Sequence, residues 1–244
     1  MIKMATNLGL LAISLTMLLF AEKKISDKQT PDTKVLQLIS GLSKLMASLL
    51  FVYFFWANTA ASNLFSISLS SSSSFGTLIL LGLAFSFAGD LLLLPRGNSR
   101  FFLAGIGAFA LAHIAYGFAF LKLLVEPDVI LISTLLTLPA AAITYHWLSP
   151  HLTGRFRVLV SIYLGLISLM VIIGTAAGVS SNNYWIASGA IIFAVSDIYV
   201  ARNRFVSAGF VNRLIGLPLY YSAQIMIAYG ALIVIHGQVN LSSG

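Results

Sequence analysis

Eight long apolar runs, separated by short polar connections, are the feature that most constrains this chain. Each run has about 20 residues, the length that an α-helix needs to cross the hydrocarbon layer of a membrane. The connections contain helix breakers such as Pro95 and Pro127. The sequence therefore predicts one all-α transmembrane domain over residues 1–244. Its predicted spans are approximately 4–21, 35–57, 75–94, 101–124, 129–148, 158–177, 184–201 and 211–236.

The composition excludes an ordinary soluble fold. Only 9% of the 244 residues are charged and 59% are hydrophobic, whereas soluble domains average about 25% charged residues. There are no cysteines, which excludes disulfides, thiolate metal sites and cysteine nucleophiles. No histidine pair stands at metal-ligand spacing within the predicted bundle. We expect neither a metal nor another cofactor.

The basic residues predict which side of the membrane each connection faces. Of the 14 lysines and arginines, eleven fall in the connections after spans one, three, five and seven, whereas Lys3 and Lys122 lie on the opposite side and Lys44 lies within span two. By the positive-inside rule, we expect both termini on the non-cytoplasmic side. The eleven residues are Lys23, Lys24, Lys28, Lys34, Arg96, Arg100, Arg155, Arg157, Arg202, Arg204 and Arg213.

The net charge of +7 points to anionic lipid head groups rather than to nucleic acid. These charges lie in loops, and no basic helix with interleaved aromatic residues is present. We expect membrane lipids as partners, no nucleic acid, and a location in the cytoplasmic (inner) membrane of a bacterium.

Two of the seven acidic residues, Asp90 and Asp197, fall inside predicted spans. A carboxylate at a helix centre costs on the order of 3 kcal/mol on insertion scales, so it must face the bundle interior, pair with a partner or take up a proton. The other five are interpreted as solvated loop charges: Glu22, Asp27, Asp32, Glu126 and Asp128.

The two aspartates are predicted to lie at the same depth. Spans three and seven run in the same direction, and each aspartate precedes an arginine, Arg96 or Arg202, by five or six residues. At 1.5 Å per residue, both lie roughly 8 Å from the helix end, so they could converge on one pocket. The alternative is that each aspartate bonds a neighbouring hydroxyl or arginine and only holds helices together.

Other polar residues inside the spans allow two interpretations each. Lys44 either extends to the interface or counters an aspartate or a substrate phosphate. His113 is either a packing element or a functional group beside the acids. Tyr116, Tyr220 and Gln224 either line the same cavity or bond neighbouring backbones. A GxxxG pattern at residues 174–178 predicts close helix packing.

Three short motifs occur in order along the chain: Gly89-Asp90-Leu91-Leu92-Leu93, Ala112-His113-Ile114-Ala115-Tyr116, and Phe193-x-x-Ser196-Asp197 followed by Arg204-Phe205. Together they resemble the YhhN-like lysoplasmalogenase family. Lys44 also falls where the family carries a lysine early in its second span, although Leu45 replaces the usual following proline. The resemblance covers most of the chain and agrees with eight spans.

This resemblance implies a hydrolase that cleaves the vinyl ether bond of lysoplasmalogens, releasing a fatty aldehyde and glycerophosphocholine or glycerophosphoethanolamine. Such hydrolysis requires an acid that protonates carbon, and a carboxylic acid in apolar surroundings can hold that proton at neutral pH. One of Asp90 and Asp197 is then the acid and the other the base, with His113 catalytic beside them. The expected substrate-binding residues are Lys44, Arg100, Tyr116, Arg204, Tyr220 and Gln224.

Two other classes of function are compatible with the same residues. Buried acids on two helices are also used by proton-coupled transporters of small molecules or lipids. A lipid-binding or structural membrane protein with two packing aspartates is the third possibility. Against transport, both acids are predicted towards the cytoplasmic face, whereas transport sites usually lie near the membrane midplane.

Overall fold

The computed structural model describes residues 2–27, 33–60, 71–95, 97 and 99–242, and within them it contains eight helices long and apolar enough to cross a membrane. Lys28, Asp32 and Arg96 lie outside the described residues. A 3-10 turn, Ser149–His151, follows the fifth helix, and a π turn, Arg202–Val206, follows the seventh. The helices are α1 Ile2–Ser26, α2 Thr33–Ala60, α3 Ser71–Leu92, α4 Ser99–Phe120, α5 Pro127–Leu148, α6 Arg155–Ser180, α7 Tyr184–Ala201 and α8 Phe210–Ser242.

The predicted all-α architecture is confirmed, with eight helices among the described residues that are long and apolar enough to cross a membrane. The seventh span matches α7 at both ends, and most other helices continue a few residues beyond the apolar runs. The fourth helix instead ends at Phe120, four residues earlier than predicted. A short connection follows it, and Pro127 then opens α5. Proline suits the first helical turn, where its missing N–H leaves no intrahelical hydrogen bond unmade.

Most helices adjacent in sequence pack against each other, with the closest associations between α1 and α2, α3 and α4, and α7 and α8, whereas α4 packs against α6 rather than α5. The last helix, α8, also contacts α1, α2 and α3, and so occupies the interior of the bundle. The fifth helix packs against α6 at the periphery. Of its residues only Ser133 and Leu148 are buried, so its largely apolar surface is available to lipid.

The GxxxG pattern in α6 does mark close helix packing. A Cβ atom added at Gly174 would lie 2.8 Å from the ring of Phe120 on α4, and one at Gly178 would lie 2.7 Å from the backbone nitrogen of Ala187 on α7. Both distances are shorter than a van der Waals contact. The two glycines therefore set how closely α6 approaches its neighbours.

Aromatic side chains fill the centre of the bundle. Phe109, Phe193 and Tyr220 contact one another, with ring centroids 5.6–6.3 Å apart and interplanar angles of 61–87°. Such edge-to-face geometry suits the ring quadrupoles. These residues come from α4, α7 and α8, so the aromatic core fixes the helices that carry the candidate site.

Candidate active site

A cavity of about 500 Å³ lies between the helices, at the end of the bundle where the α3–α4 and α7–α8 connections meet. Residues of α1, α2, α3, α4, α6, α7 and α8 line it. The two connections contribute Leu93, Leu94, Pro95 and Gly97, and Asn203, Arg204, Phe205 and Ala208. Asp90 and Asp197 both line this cavity. The two carboxylates that the sequence predicted to share a depth therefore share a pocket.

Asp90 is held by a cation and a hydroxyl from one face of α2. The Lys44 Nζ lies 3.0 Å from Asp90 Oδ1, and the Ser48 hydroxyl donates to Oδ2 at 2.5 Å. Lys44 and Ser48 are four residues apart, so they project from the same side of the helix. Tyr221 donates to the carbonyl of Lys44 at 3.2 Å. Lys44 thus counters an aspartate, one of its two interpretations from sequence.

Asp197 has a different set of partners. The Tyr163 hydroxyl donates to its Oδ2 at 2.5 Å, and the Nε2 of His113 lies 3.2 Å from the same oxygen. The same Nε2 is also 3.0 Å from the Tyr163 hydroxyl. Each member of this triad is therefore within hydrogen-bond distance of the other two. His113 is fully buried, and its Nδ1 has no hydrogen-bond partner among the described residues.

Tyr163 was not predicted as a site residue. It lies in the first half of α6, and it lines the cavity together with Asp197. A lone tyrosine hydroxyl within a membrane span was the available signal, because such a group needs a hydrogen-bond partner. The sequence could not identify Asp197 as that partner, because the contact depends on how α6 is rotated about its own axis.

The two carboxylates consequently differ in the chemistry available to them. The Lys44 ammonium compensates the charge of Asp90, whereas Asp197 contacts a phenol and an imidazole, two groups that can exchange protons with it. Pairs of acids in contrasting surroundings are typical of acid–base catalysis. The described residues contain no group of three or more His, Cys, Asp or Glu side chains that could hold a metal ion.

Tyr116, Gln224 and Tyr220 connect helices around the site. The Tyr116 hydroxyl donates to Gln224 Oε1 at 2.6 Å, and Gln224 Nε2 donates to the Ser86 hydroxyl at 3.1 Å. Tyr220 donates to the Ser86 carbonyl at 3.3 Å. Of these predicted site residues, Tyr220 lines the cavity, whereas Tyr116 and Gln224 lie behind its wall. They join α3, α4 and α8 through these hydrogen bonds.

The two arginines expected to meet a phosphate occupy different places. Arg204, in the π turn, lines the cavity; its guanidinium lies 4.4 Å from the ring centroid of Phe102 and donates to Ser99 at 3.1 Å. Arg100 is not among the residues that line the cavity. Arg100 is the second residue of α4 and directly follows Ser99, which accepts the hydrogen bond from Arg204. Successive residues of a helix project in different directions, so the side chains of Ser99 and Arg100 point differently.

Glu22 was predicted to be a solvated loop charge, and this was wrong. The first helix continues past its apolar run to Ser26, so Glu22 lies within α1 and is only 5% exposed. The Ser40 hydroxyl donates to its Oε1 at 2.5 Å, and Arg213 of α8 forms an ion pair with its Oε2. All three residues line the cavity. By contrast, Asp27, Glu126 and Asp128 are exposed at helix ends, as expected.

The fold and the cavity define an integral membrane protein in which two carboxylates, one buried and one partly buried, line the same cavity. The chain belongs to the YhhN family, whose sequence model matches residues 39–231. This match includes both aspartates and their partners; α1, with Glu22, precedes it.

Curated relatives agree with this membership. Lysoplasmalogenase TMEM86A of Bos taurus is 31% identical over 162 residues, which are 64% of this chain and 65% of the relative. Lysoplasmalogenase TMEM86B of Rattus norvegicus is 29% identical over 196 residues, 80% of this chain and 73% of the relative. A lysoplasmalogenase of Mycobacterium bovis is 28% identical over 156 residues, 61% and 58% of the two chains.

The chain thus spans about 65% of the length of the TMEM86A relative. No solved structure significantly matches this chain.

Proposed function

We propose that this protein is a membrane-embedded hydrolase that cleaves the vinyl ether bond of lysoplasmalogens to a fatty aldehyde and glycerophosphocholine or glycerophosphoethanolamine. Family membership and the names of the relatives support the substrate class. The observation that carries the proposal is the pair of aspartates on one cavity, one beside an ammonium and the other beside a phenol and an imidazole.

The contrasting partners suggest how the two roles divide. Asp197 is the proton donor, because His113 and Tyr163 can replace or relay the proton that it gives up. Asp90 is the carboxylate that stabilises the cationic intermediate and activates water. Lys44 and Ser48 hold its two oxygens in place. The division resembles that of glycosidases, in which one carboxyl donates a proton and the other assists water.

The reaction then balances through these two groups. Asp197 transfers its proton to the β-carbon of the vinyl ether, which becomes an oxocarbenium ion. Water adds to the α-carbon of this cation while Asp90 takes up the released proton, giving a hemiacetal. The hemiacetal carbon–oxygen bond to glycerol breaks as Asp90 returns its proton to the glyceryl oxygen. Asp197 accepts the proton of the hemiacetal hydroxyl, and both groups regain their starting states.

The lipid would be oriented by the polarity of the cavity. Its head group would lie towards the two connections, where Arg204 offers a phosphate-binding guanidinium. Its hydrocarbon chain would lie among apolar residues such as Phe109 and Leu217. The positive-inside rule supports our proposal that this opening faces the cytoplasm, and a bacterial cytoplasmic membrane remains our proposed location.

The decisive experiment measures aldehyde release from choline and ethanolamine lysoplasmalogens by purified protein in detergent. Wild type is expected to be active, and Asp90→Asn and Asp197→Asn to lose at least about 100-fold in rate, the lower range for losing an acid or base. Asp128→Asn, a change at an exposed carboxylate, is the matched control and should retain activity. Monodisperse elution of each variant in gel filtration establishes folding. A fully active double Asp90→Asn/Asp197→Asn variant would refute the site.

A proton-coupled transporter is the second candidate, and the triad of Asp197, His113 and Tyr163 is what favours it, because linked titratable groups can relay protons. Transport predicts substrate flux into proteoliposomes that depends on a pH gradient. Hydrolysis instead predicts aldehyde release in detergent with no gradient. The two assays on one protein preparation therefore separate the candidates.

A further inference from the structure

The π turn between α7 and α8 carries two adjacent polar side chains that line the cavity, Asn203 and Arg204. The backbone nitrogen of Ser207 closes this turn by donating at 2.8 Å to the carbonyl of Arg202, five residues earlier. Turns of this kind are rare and occur frequently at functional sites. The proposed function assigns a role to Arg204 but none to Asn203.

Hydrogen bonds within the connection fix the orientation of the Asn203 amide. Its Oδ1 accepts from the backbone nitrogen of Gly209 at 3.1 Å and from the Nδ2 of Asn212 at 3.2 Å. A backbone N–H can only donate, so the amide atom that faces Gly209 must be the oxygen. The Nδ2 of Asn203, with its two hydrogens, is therefore the end turned away from Gly209, and it has no hydrogen-bond partner among the described residues.

Asn212, at the start of α8, holds this orientation. It is only 3% exposed, and its Oδ1 accepts from the Nη1 of Arg202 at 2.5 Å. Its Nδ2 donates to the carbonyl of Ser207 at 2.7 Å and to Asn203. A guanidinium can only donate and a carbonyl can only accept, so the Asn212 amide has one possible orientation. Because its donors are engaged within the connection, Asn212 supports Asn203 rather than contacting a ligand.

We infer that Asn203 is a second phosphate-binding residue beside Arg204, and that Asn212 is the positioning residue that presents its amide. The inference rests on the proposed function, because the phosphate is that of the proposed lipid substrate. The guanidinium of Arg204 lies 4.4 Å from the ring centroid of Phe102 and offers charge-assisted hydrogen bonds. The Nδ2 of Asn203 adds a neutral donor from the adjacent residue, so one turn offers donors to two oxygens of the same phosphate.

Phosphate binding by Asn203 has a consequence for selectivity between lipids. A hydrogen bond to an ionised group contributes about tenfold or more to affinity. A lipid without a phosphate offers Asn203 no ionised acceptor and gains no such contribution. Loss of the Asn203 amide hydrogens should therefore weaken binding of a phospholipid selectively, whereas a change that only disturbs the fold would weaken binding of both lipids.

The test uses two lipids that the protein cannot hydrolyse, because their ether is saturated: 1-O-hexadecyl-glycero-3-phosphocholine and 1-O-hexadecylglycerol, which lacks the phosphate. Their Kd values are measured by competition with a fluorescent lysolipid in maltoside micelles. Asn203→Asp keeps an oxygen for Gly209 and Asn212 but removes the amide donor, and Asn203→Ala removes the donor without adding charge. Each should weaken phosphocholine binding by at least about tenfold and leave alkylglycerol binding unchanged. Thr153→Asp, which adds a carboxylate at an exposed residue of the α5–α6 connection, should change neither Kd.

Asn212→Leu tests the positioning role with the same two lipids. Alone, it should weaken phosphocholine binding and leave alkylglycerol binding unchanged. Added to Asn203→Ala, it should change the phosphocholine Kd much less, because its effect passes through an amide that is no longer present. Equal effects of Asn212→Leu in the two backgrounds would overturn the positioning role.

An unchanged phosphocholine Kd in either Asn203 variant overturns the inference, as does an equal loss of binding for both lipids. Displacement of the fluorescent lysolipid by inorganic phosphate at the same concentration would assign the site to free phosphate, and so would overturn it too. Selective loss in the variants without aldehyde release by wild type would refute the proposed function alone. Aldehyde release with an unchanged phosphocholine Kd in the variants would refute this inference alone.

Discussion

Replacing Lys44 with methionine tests whether the cation beside Asp90 is essential to the site. Asp90 is 2% exposed, and the 3.0 Å contact with Lys44 supplies its compensating charge. Removing one partner of a buried pair costs about 3–5 kcal/mol, because the other charge is left unmatched. The Ser48 hydrogen bond at 2.5 Å remains and offsets part of this cost. We therefore expect Lys44→Met to lower the free energy of unfolding by about 3 kcal/mol.

A double-mutant cycle isolates the interaction from the loss of side-chain packing. Asp90→Asn alone leaves Lys44 without its partner, but the 15% exposed lysine side chain can extend towards water, so this loss should be smaller. The double variant Lys44→Met/Asp90→Asn contains no unmatched charge and should be more stable than Lys44→Met. The expected coupling is about 2–3 kcal/mol, the upper range for contacting residues.

The assay is equilibrium unfolding in mixed micelles, followed by circular dichroism, with aldehyde release measured on the same samples. Lys44→Met should also lower the rate by about 100-fold, since the proposed water-activating carboxylate loses its support. A coupling energy near zero would refute the reasoning, because it would mean that the two side chains do not share a buried ion pair.

Three further changes address other contacts. Tyr163→Phe removes the 2.5 Å hydrogen bond to Asp197. It should lower the rate of aldehyde release by about tenfold or more and the free energy of unfolding by about 1 kcal/mol. The control Tyr184→Phe, at a 60% exposed residue, should change neither quantity. Gly178→Val should destabilise by about 1–3 kcal/mol in thermal unfolding, because its Cβ would overlap α7. Gly165→Ala, which meets no neighbour within 4 Å, is the control. A loss of stability equal to that of Gly178→Val would contradict the close packing of α6 against α7. Gln224→Leu leaves two hydroxyls without their partner and should lower the free energy of unfolding by about 1–3 kcal/mol. An unchanged free energy of unfolding would show that these bonds are not formed.

Tertiary structure changes the interpretation of the charged residues more than that of the apolar ones. Glu22 looked like a loop charge because it follows the first apolar run directly, yet the helix continues and buries it. Arg100 and Arg204 were both expected to bind the substrate, but only Arg204 is among the residues that line the cavity. Sequence position near a span end therefore does not reveal whether a charge faces water, lipid or the site.

The sequence by itself determined the eight helices able to span a membrane and singled out Asp90 and Asp197 as carboxylates within them. In a membrane every backbone polar group must be satisfied within its own helix, so each apolar run of sufficient length specifies one helix independently of its neighbours. A carboxylate inside such a run stands out because its burial without a partner is costly. Both inferences are local, and they require no knowledge of how the helices are arranged.

Only the tertiary structure decided which partners those carboxylates have. The hydroxyl of Tyr163 meets Asp197 across 34 residues of sequence, Ser48 meets Asp90 across 42, and Arg213 meets Glu22 across 191. Such contacts depend on the rotation of each helix about its own axis and on the approach of its neighbours. Glycines and aromatic rings set that packing through the whole bundle. The physical reason is that hydrophobicity fixes how a helix crosses the membrane, whereas complementary side-chain packing fixes which of its faces meet.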